Sequence, residues 1–156
     1  MKVIFLDVDG VLNSNNFFEN RYKQGYRNYV AVDPEICKLF VDFIKTNDIK
    51  LIISSTWRLD NVEHTQEDFE LYEGLKLLNP YIVGVTPRSY EGFRGKEIKY
   101  FLEHTELDIE SYVIIDDDSD MLEEQNANFM HIDNLVGLQQ TDFNKILNIL
   151  KLKQGS

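Results

Sequence analysis

Residues 3–10 read VIFLDVDG: four apolar residues, an aspartate, one more valine, a second aspartate and a glycine. A short, continuous run rich in β-branched and aromatic side chains suits a strand buried on both faces of a parallel sheet. Asp7 stands where that strand gives way to loop, and Gly10 lets the backbone turn sharply behind Asp9. Four later stretches repeat the plan. The apolar run 50–53 ends at Ser54, 81–85 ends near Thr86 and Pro87, 112–115 ends at Asp116, and 129–132 ends at Asp133.

The intervals between these runs carry helical spacing. In 34–46, Ile36, Leu39, Phe40, Phe43 and Ile44 share a stripe, with Asp33 as N-cap and Pro34 at the first helical position. Further helices are expected at 66–78, 96–104 and, briefly, 119–126. A last one at 141–152 sets Phe143, Ile146, Leu147 and Leu150 on one face. Strands alternating with helices predict an α/β fold, a doubly wound parallel five-stranded sheet with right-handed crossovers. With no repeat, linker or low-complexity stretch, residues 1–156 read as one domain. Residues 13–32 interrupt the alternation: polar and aromatic, without a clean period, they are expected to form a flap, with a β-hairpin turning near Gln24 and Gly25.

Composition narrows the classes of function. The chain has 156 residues, 43% hydrophobic and 12% aromatic, enough for one buried core. Its formal net charge of -11 argues against a protein that coats nucleic acid in bulk, which needs clustered Lys and Arg. A local basic patch still suffices to hold a nucleic-acid end. A single cysteine, Cys37, cannot form an internal disulfide and falls in an apolar helical stretch as a small core residue. The apolar run before Asp7 is too short for a signal peptide, and no segment has the length of a membrane span, so a cytoplasmic protein without a membrane partner is expected. His64, His104 and His131 lack the spacing of zinc ligands.

The polar residues that matter lie at strand ends, which in an open α/β sheet line the ligand crevice. Asp7 and Asp9 follow the first strand; Asp116, Asp117 and Asp118, with Asp120 close behind, follow the fourth. Brought together, these carboxylates repel one another unless a cation neutralises them, and hard oxygen ligands favour Mg2+. Residues i and i+2 of an extended segment point the same way, so Asp7 and Asp9 address one substrate from adjacent positions. A carboxylate attacking phosphorus forms an aspartyl phosphate, and a second carboxyl protonates the leaving oxygen and later activates water. Ser54 and Ser55 follow the second strand as candidate donors to phosphoryl oxygens. Lys96, after Arg94 and Gly95 at a helix start, is a candidate cation beside the anion. Arg58 and Arg94 each have two readings, a bidentate phosphate ligand or the partner of a nearby carboxylate.

FLDVDGVLN (5–13), LIISSTW (51–57), RGKEI (94–98) and VIIDDDSDM (113–121) occur in the order of the four signature motifs of the haloacid dehalogenase (HAD) superfamily, which the chain resembles. The fuller wording, with HIDNLVGLQQTDF (131–143), is similar to the small HAD domains associated with RNA-repair proteins and phages. The resemblance implies the strand order 3-2-1-4-5 with no large cap domain, and an open site for a large substrate. It implies Asp7 as nucleophile and metal ligand, and Asp9 as general acid and base with its carbonyl on the metal. It also implies Ser54 (or Ser55) on the phosphate, Lys96 at the nucleophile, and Asp116 on the metal with Asp117 or Asp120 second; Gly10 lies against the substrate, and Asp118 receives no role. Phosphatases of the superfamily keep the acid that Asp9 represents and dehalogenases lack it.

The expected activity is therefore a magnesium-dependent phosphomonoesterase for a nucleotide or nucleic-acid terminal phosphate. A broad phosphatase of phosphorylated small molecules and a catalytically silent binding module are the alternatives. A signalling receiver also surrounds an aspartyl phosphate with acids, a hydroxyl and a Lys. Its acidic pair precedes the phosphorylated Asp, the reverse of the order here. The flap's Arg21, Lys23 and Arg27, with Phe17, Phe18, Tyr22, Tyr26 and Tyr29, suggest stacking on bases or packing against the domain.

Overall fold

The structure, a computed structural model, describes residues 1–89 and 92–154; residues 90–91 and the last two of the expected 1–156 domain lie outside the described residues. Five parallel strands form one sheet in the order β3-β2-β1-β4-β5: β1 Lys2–Leu6, β2 Ile49–Ile53, β3 Ile82–Val85, β4 Ser111–Asp116 and β5 Phe129–His131. This is the doubly wound arrangement that the apolar runs predicted. β1 lies centrally, pairing Leu6 with Ile53 on one side and Ile115 on the other. Alternation along the strand sends Ile4 and Leu6 to one face and Val3 and Phe5 to the other. Ile4 and Leu6 pack against α2 (Pro34–Thr46), α3 (Val62–Phe69) and α5 (Phe143–Gln154) through Phe40, Phe69 and Ile146. Val3 and Phe5 pack against α4 (Arg94–His104), where Phe5 meets Phe101 edge-on at 5.8 Å.

Asp33 caps α2 by accepting the Glu35 N–H at 3.0 Å, with Pro34 in the first turn. Cys37 is buried on this helix, and burial pushes its thiol up to about 12. Two expected helices changed form. The stretch 66–78 is divided: Asn61 caps α3 earlier, at 2.7 Å from the His64 N–H, α3 ends at Phe69, and Gly74 turns the chain at φ +90°. Beyond that glycine the chain winds into a 3₁₀ turn, Leu75–Tyr81. Likewise 119–126 is a 3₁₀ turn at Glu123–Asn128, and α5 is preceded by another at Gln140–Asp142.

The flap corrects the hairpin expectation. Residues Asn15–Lys23 form a helix, α1, whose N-cap Ser14 accepts the Phe17 N–H at 3.0 Å, and Gln24 ends it ahead of Gly25. The aromatic and polar residues lack an alternating pattern because none of α1 is buried: it lies over the site and not against the core. The arm returning from α1 is pinned at its neck, where the Asp33 N–H donates to the Leu12 carbonyl at 2.8 Å and Asn13 Nδ2 to that of Ala31 at 2.8 Å. No described helix is long and apolar enough to cross a membrane.

Because α1 carries no buried side chain, losing its cap should loosen the flap without unfolding the domain. Ser14→Ala is expected to cost the helix about 1 kcal/mol and to speed amide exchange across 17–23. The Tm should move little; a large loss of Tm would show that α1 supports the core.

Candidate active site

Four of the five strands, β1, β2, β3 and β5, are extended by one more main-chain bond at the carboxyl end, which fixes the first residue beyond each. The Asp7 N–H donates to Ile115, Ser54 to Leu6, Thr86 to Ile53 and Ile132 to Asp116, all at 2.9–3.0 Å. Asp7 and Asp116 thereby face each other across the point where the strand order reverses. Their carboxylates and that of Asp117 offer oxygens all within 4.8 Å of one another. Asp7 is 5% exposed and Asp116 1%. Burial, then the charge of Asp116, push the Asp7 carboxyl up to about 9. Burial pushes Asp116 up to about 6, against the Asp118 N–H and Arg94, which favour its charged form.

The three acids fit a hard cation. Oxygen donors are what a hard cation such as Mg2+ takes, and Asp116 Oδ2 is buried without a hydrogen bond to any described residue, with Arg94 Nε 3.5 Å away. Asp120, the alternative second ligand, is not among the three and caps α4: its Oδ2 accepts the Arg94 N–H at 2.9 Å and its carbonyl that of Gly95 at 3.1 Å, while Oδ1 is buried without a hydrogen bond to a described residue. Asp118 is exposed and lends its N–H to Asp116 Oδ1 at 2.9 Å. His131 Nε2 donates to the Asp117 carbonyl at 2.8 Å and holds that loop.

Asp9 is exposed beside the cluster. Its Oδ1 accepts from Asn13 Nδ2 at 2.9 Å and from the Trp57 indole N–H at 3.1 Å, leaving Oδ2 toward solvent. Asn13 Oδ1 in turn accepts the Gly10 N–H at 2.7 Å. Gly10, at φ +81°, has no room for a side chain, since a Cβ there would land on the Asp117 carboxylate. Its role is close approach of the backbone to the acids. Sequence reasoning quoted Asn13 and Trp57 without giving either a role. Both are polar-capable residues two to four positions beyond a motif acid or serine, which was the available signal.

The two serines separate. Ser55 Oγ accepts the Trp57 N–H at 3.2 Å and shapes the turn, whereas Ser54 Oγ is buried with no hydrogen bond to a described residue. Arg58 takes the second of its two readings, the partner of a nearby carboxylate. It is 3% exposed and ion-paired with Glu97, 5% exposed, at 3.0 Å, and it donates to the Thr86 carbonyl at 2.8 Å. Glu97 also accepts the Ser89 N–H at 2.7 Å, so this pair ties the end of β2 to α4.

The cations are exchanged relative to expectation. Arg94 Nε lies 3.5 Å from Asp116 Oδ2. Lys96, expected at the nucleophile, is exposed, its ammonium 5.1 Å from the Phe93 ring centre. The first turn of α4 points residue 94 inward, and residues two apart on a helix do not share a face.

A doubly wound sheet with acids converging at its switch point defines the class as a HAD-type domain. The model of the HAD domain in Swiss Army Knife RNA repair proteins matches residues 3–143, and the chain belongs to that family. Among solved structures, the HAD domain of effector protein Lem4 from Legionella pneumophila superposes with a TM-score of 0.52 at 16% identity, over 97% of this chain and 96% of that one. At that identity the likeness is one of fold. No curated protein sequence matches the chain.

Two stability measurements check this geometry. Raised carboxyl values mean that the folded chain holds more protons than the unfolded one above the ordinary carboxylate pKa of about 4. Stability therefore falls as pH rises toward about 6 for Asp116 and about 9 for Asp7. In EDTA the Tm is expected to drop between about pH 5 and pH 8, and Asp7→Asn to flatten the drop; a wild-type Tm that rises over this range would contradict it. Glu97→Ala, leaving Arg58 buried without its counter-charge, is expected to cost about 3–5 kcal/mol in urea unfolding.

Proposed function

We propose that the chain is a magnesium-dependent phosphomonoesterase acting on the terminal phosphate of a nucleotide or nucleic-acid end. The observation carrying this reading is the meeting of buried Asp7 and Asp116 with Asp117 at the sheet's switch point, with Asp9 hydrogen-bonded beside them. Asp7, Asp116 and Asp117 would hold the magnesium ion, with the Asp9 carbonyl as a further ligand. When bound, the ion supplies charge neutralisation among the acids and the phosphoryl oxygens.

The chain's own residues divide the work. Asp7 attacks phosphorus in line with the leaving oxygen, forming the Asp7–phosphorus bond as the ester bond breaks. Asp9 gives its proton to the leaving oxygen. It then takes one from water, whose oxygen displaces Asp7 from phosphorus and releases phosphate. Ser54, whose hydroxyl has no hydrogen bond to a described residue, donates to a phosphoryl oxygen. Arg94, already against Asp116, serves as the cation in place of Lys96.

A nucleic-acid end is favoured by the family's association with RNA repair. The free, buried Cys37 agrees with a reducing, cytoplasmic setting.

A phosphoester panel with Mg2+ or EDTA tests the proposal. Phosphate release is expected only with the metal, with Asp7→Asn and Asp9→Asn each losing at least about a hundredfold in kcat. Full activity in Asp7→Asn would refute the nucleophile, and no release from any ester would leave a binding module. Arg94→Ala is expected to lower kcat/KM well beyond Lys96→Ala; the reverse order would restore Lys96 to the site.

A further inference from the structure

Beside Asp9 opens a cavity of about 320 Å³, walled by Phe18 of α1, Tyr29 of the returning arm and Trp57, with the amides of Asn15 and Asn134 in its lining. Resting on the phosphatase reading, we propose that this cavity holds the base of a single terminal nucleoside, whose phosphate is thereby presented to Asp7.

Three rings border the cavity. Trp57 is fixed from behind by edge-on contacts with Tyr72 at 5.2 Å and Phe69 at 6.5 Å, and its indole N–H is held by Asp9. Tyr29 rests against Tyr72 edge-on at 6.4 Å, yet 75% of it remains exposed, as does 43% of Phe18. Aromatic surface left open at the mouth of a cavity is what a stacked base covers, and stacking accepts any base because each has a π face.

Charge selects the kind of ligand. Among the described lining residues the charged groups are Asp9 and Asp117, both acidic. The flap's arginines are spent on its own tip: Arg21 lies 4.9 Å over Tyr26 and Arg27 4.2 Å over Tyr22, with Arg27 also donating to the Tyr22 carbonyl at 2.9 Å. A cavity whose described lining has carboxylates and no cation disfavours a second phosphate and accepts a neutral ring. The Asn15 and Asn134 amides offer donors and acceptors to a base edge. A volume of 320 Å³ lies at the lower end of the range of about 300–1,000 Å³ for small-molecule sites. That is room for one nucleoside.

The chain has one tryptophan, so its fluorescence reports this cavity whether or not the protein turns over. Adenosine, which carries no phosphate, is expected to quench Trp57 saturably, and Tyr29→Ala to weaken that binding about tenfold, the share of one stacking partner. Tyr29 is exposed, so this variant leaves the core untouched. With Mg2+, an oligonucleotide 3′-phosphate is expected to show a KM about tenfold below that of the same oligonucleotide ending in an abasic residue. The two KM values should converge in Tyr29→Ala. Absence of quenching by millimolar adenosine, or equal KM values in the wild type, would overturn the nucleoside cavity while phosphate release kept the phosphatase standing. Saturable quenching without phosphate release from any ester would keep the cavity and overturn the catalytic reading.

Discussion

Three carboxylates held within 4.8 Å of one another, two of them almost wholly buried, are a standing electrostatic conflict. Water would ordinarily screen such charges, but the strands on either side exclude it, and the unfavourable term appears as carboxyls that hold their protons well above the usual range. The sheet imposes this. Asp7 is pinned by a main-chain bond that continues the β1–β4 ladder and Asp116 by one that continues β4–β5, and neither can retreat without breaking it. The strain is localised where a cation would relieve it on arrival.

The surroundings keep that conflict in register. Arg58 and Glu97, each buried, bind the end of β2 to α4 and so set where the first turn of α4 begins. Asp120 caps that turn from the β4 side. Between these two supports Arg94 is carried inward to Asp116, while Lys96 two positions on is carried out. Asn13 does comparable work on the other side of the site. One amide holds Gly10, Asp9 and the carbonyl of Ala31, so Asp9 and the neck of the flap are positioned together. A change in the flap can therefore be felt at Asp9 without any contact to the acids themselves.

That coupling gives the flap a meaning beyond cover. Its helix buries nothing and its arginines stack on its own tyrosines; it is attached at the neck, through the Asn15 and Asn16 N–H groups on the Asn134 and Leu135 carbonyls, and by Tyr29 on Tyr72. An element built this way adds little to folding and leaves its aromatic faces available to something else.

The strands, their order of appearance and the acids at their ends were legible in the chain because a buried parallel strand needs an unbroken apolar run, and a run that stops at Asp marks its own carboxyl end. The capped helix at 34–46 was legible for the same local reason: Asp33 and Pro34 act on their immediate neighbours. The helical flap was not, because α1 faces solvent and carries no apolar stripe to reveal its period. Nor was the exchange of Arg94 for Lys96, the engagement of Arg58 by Glu97, or the choice of Ser54 over Ser55 as the hydroxyl left without a described partner. Sequence by itself determined which residue types stand at each strand end, since that depends on hydrophobic pattern and turn chemistry within a few positions. Which of two adjacent cations or hydroxyls turns inward was decided only by tertiary structure, because side-chain direction follows from the angle at which α4 and the β2 loop meet the sheet, and residues far apart in the chain set that angle.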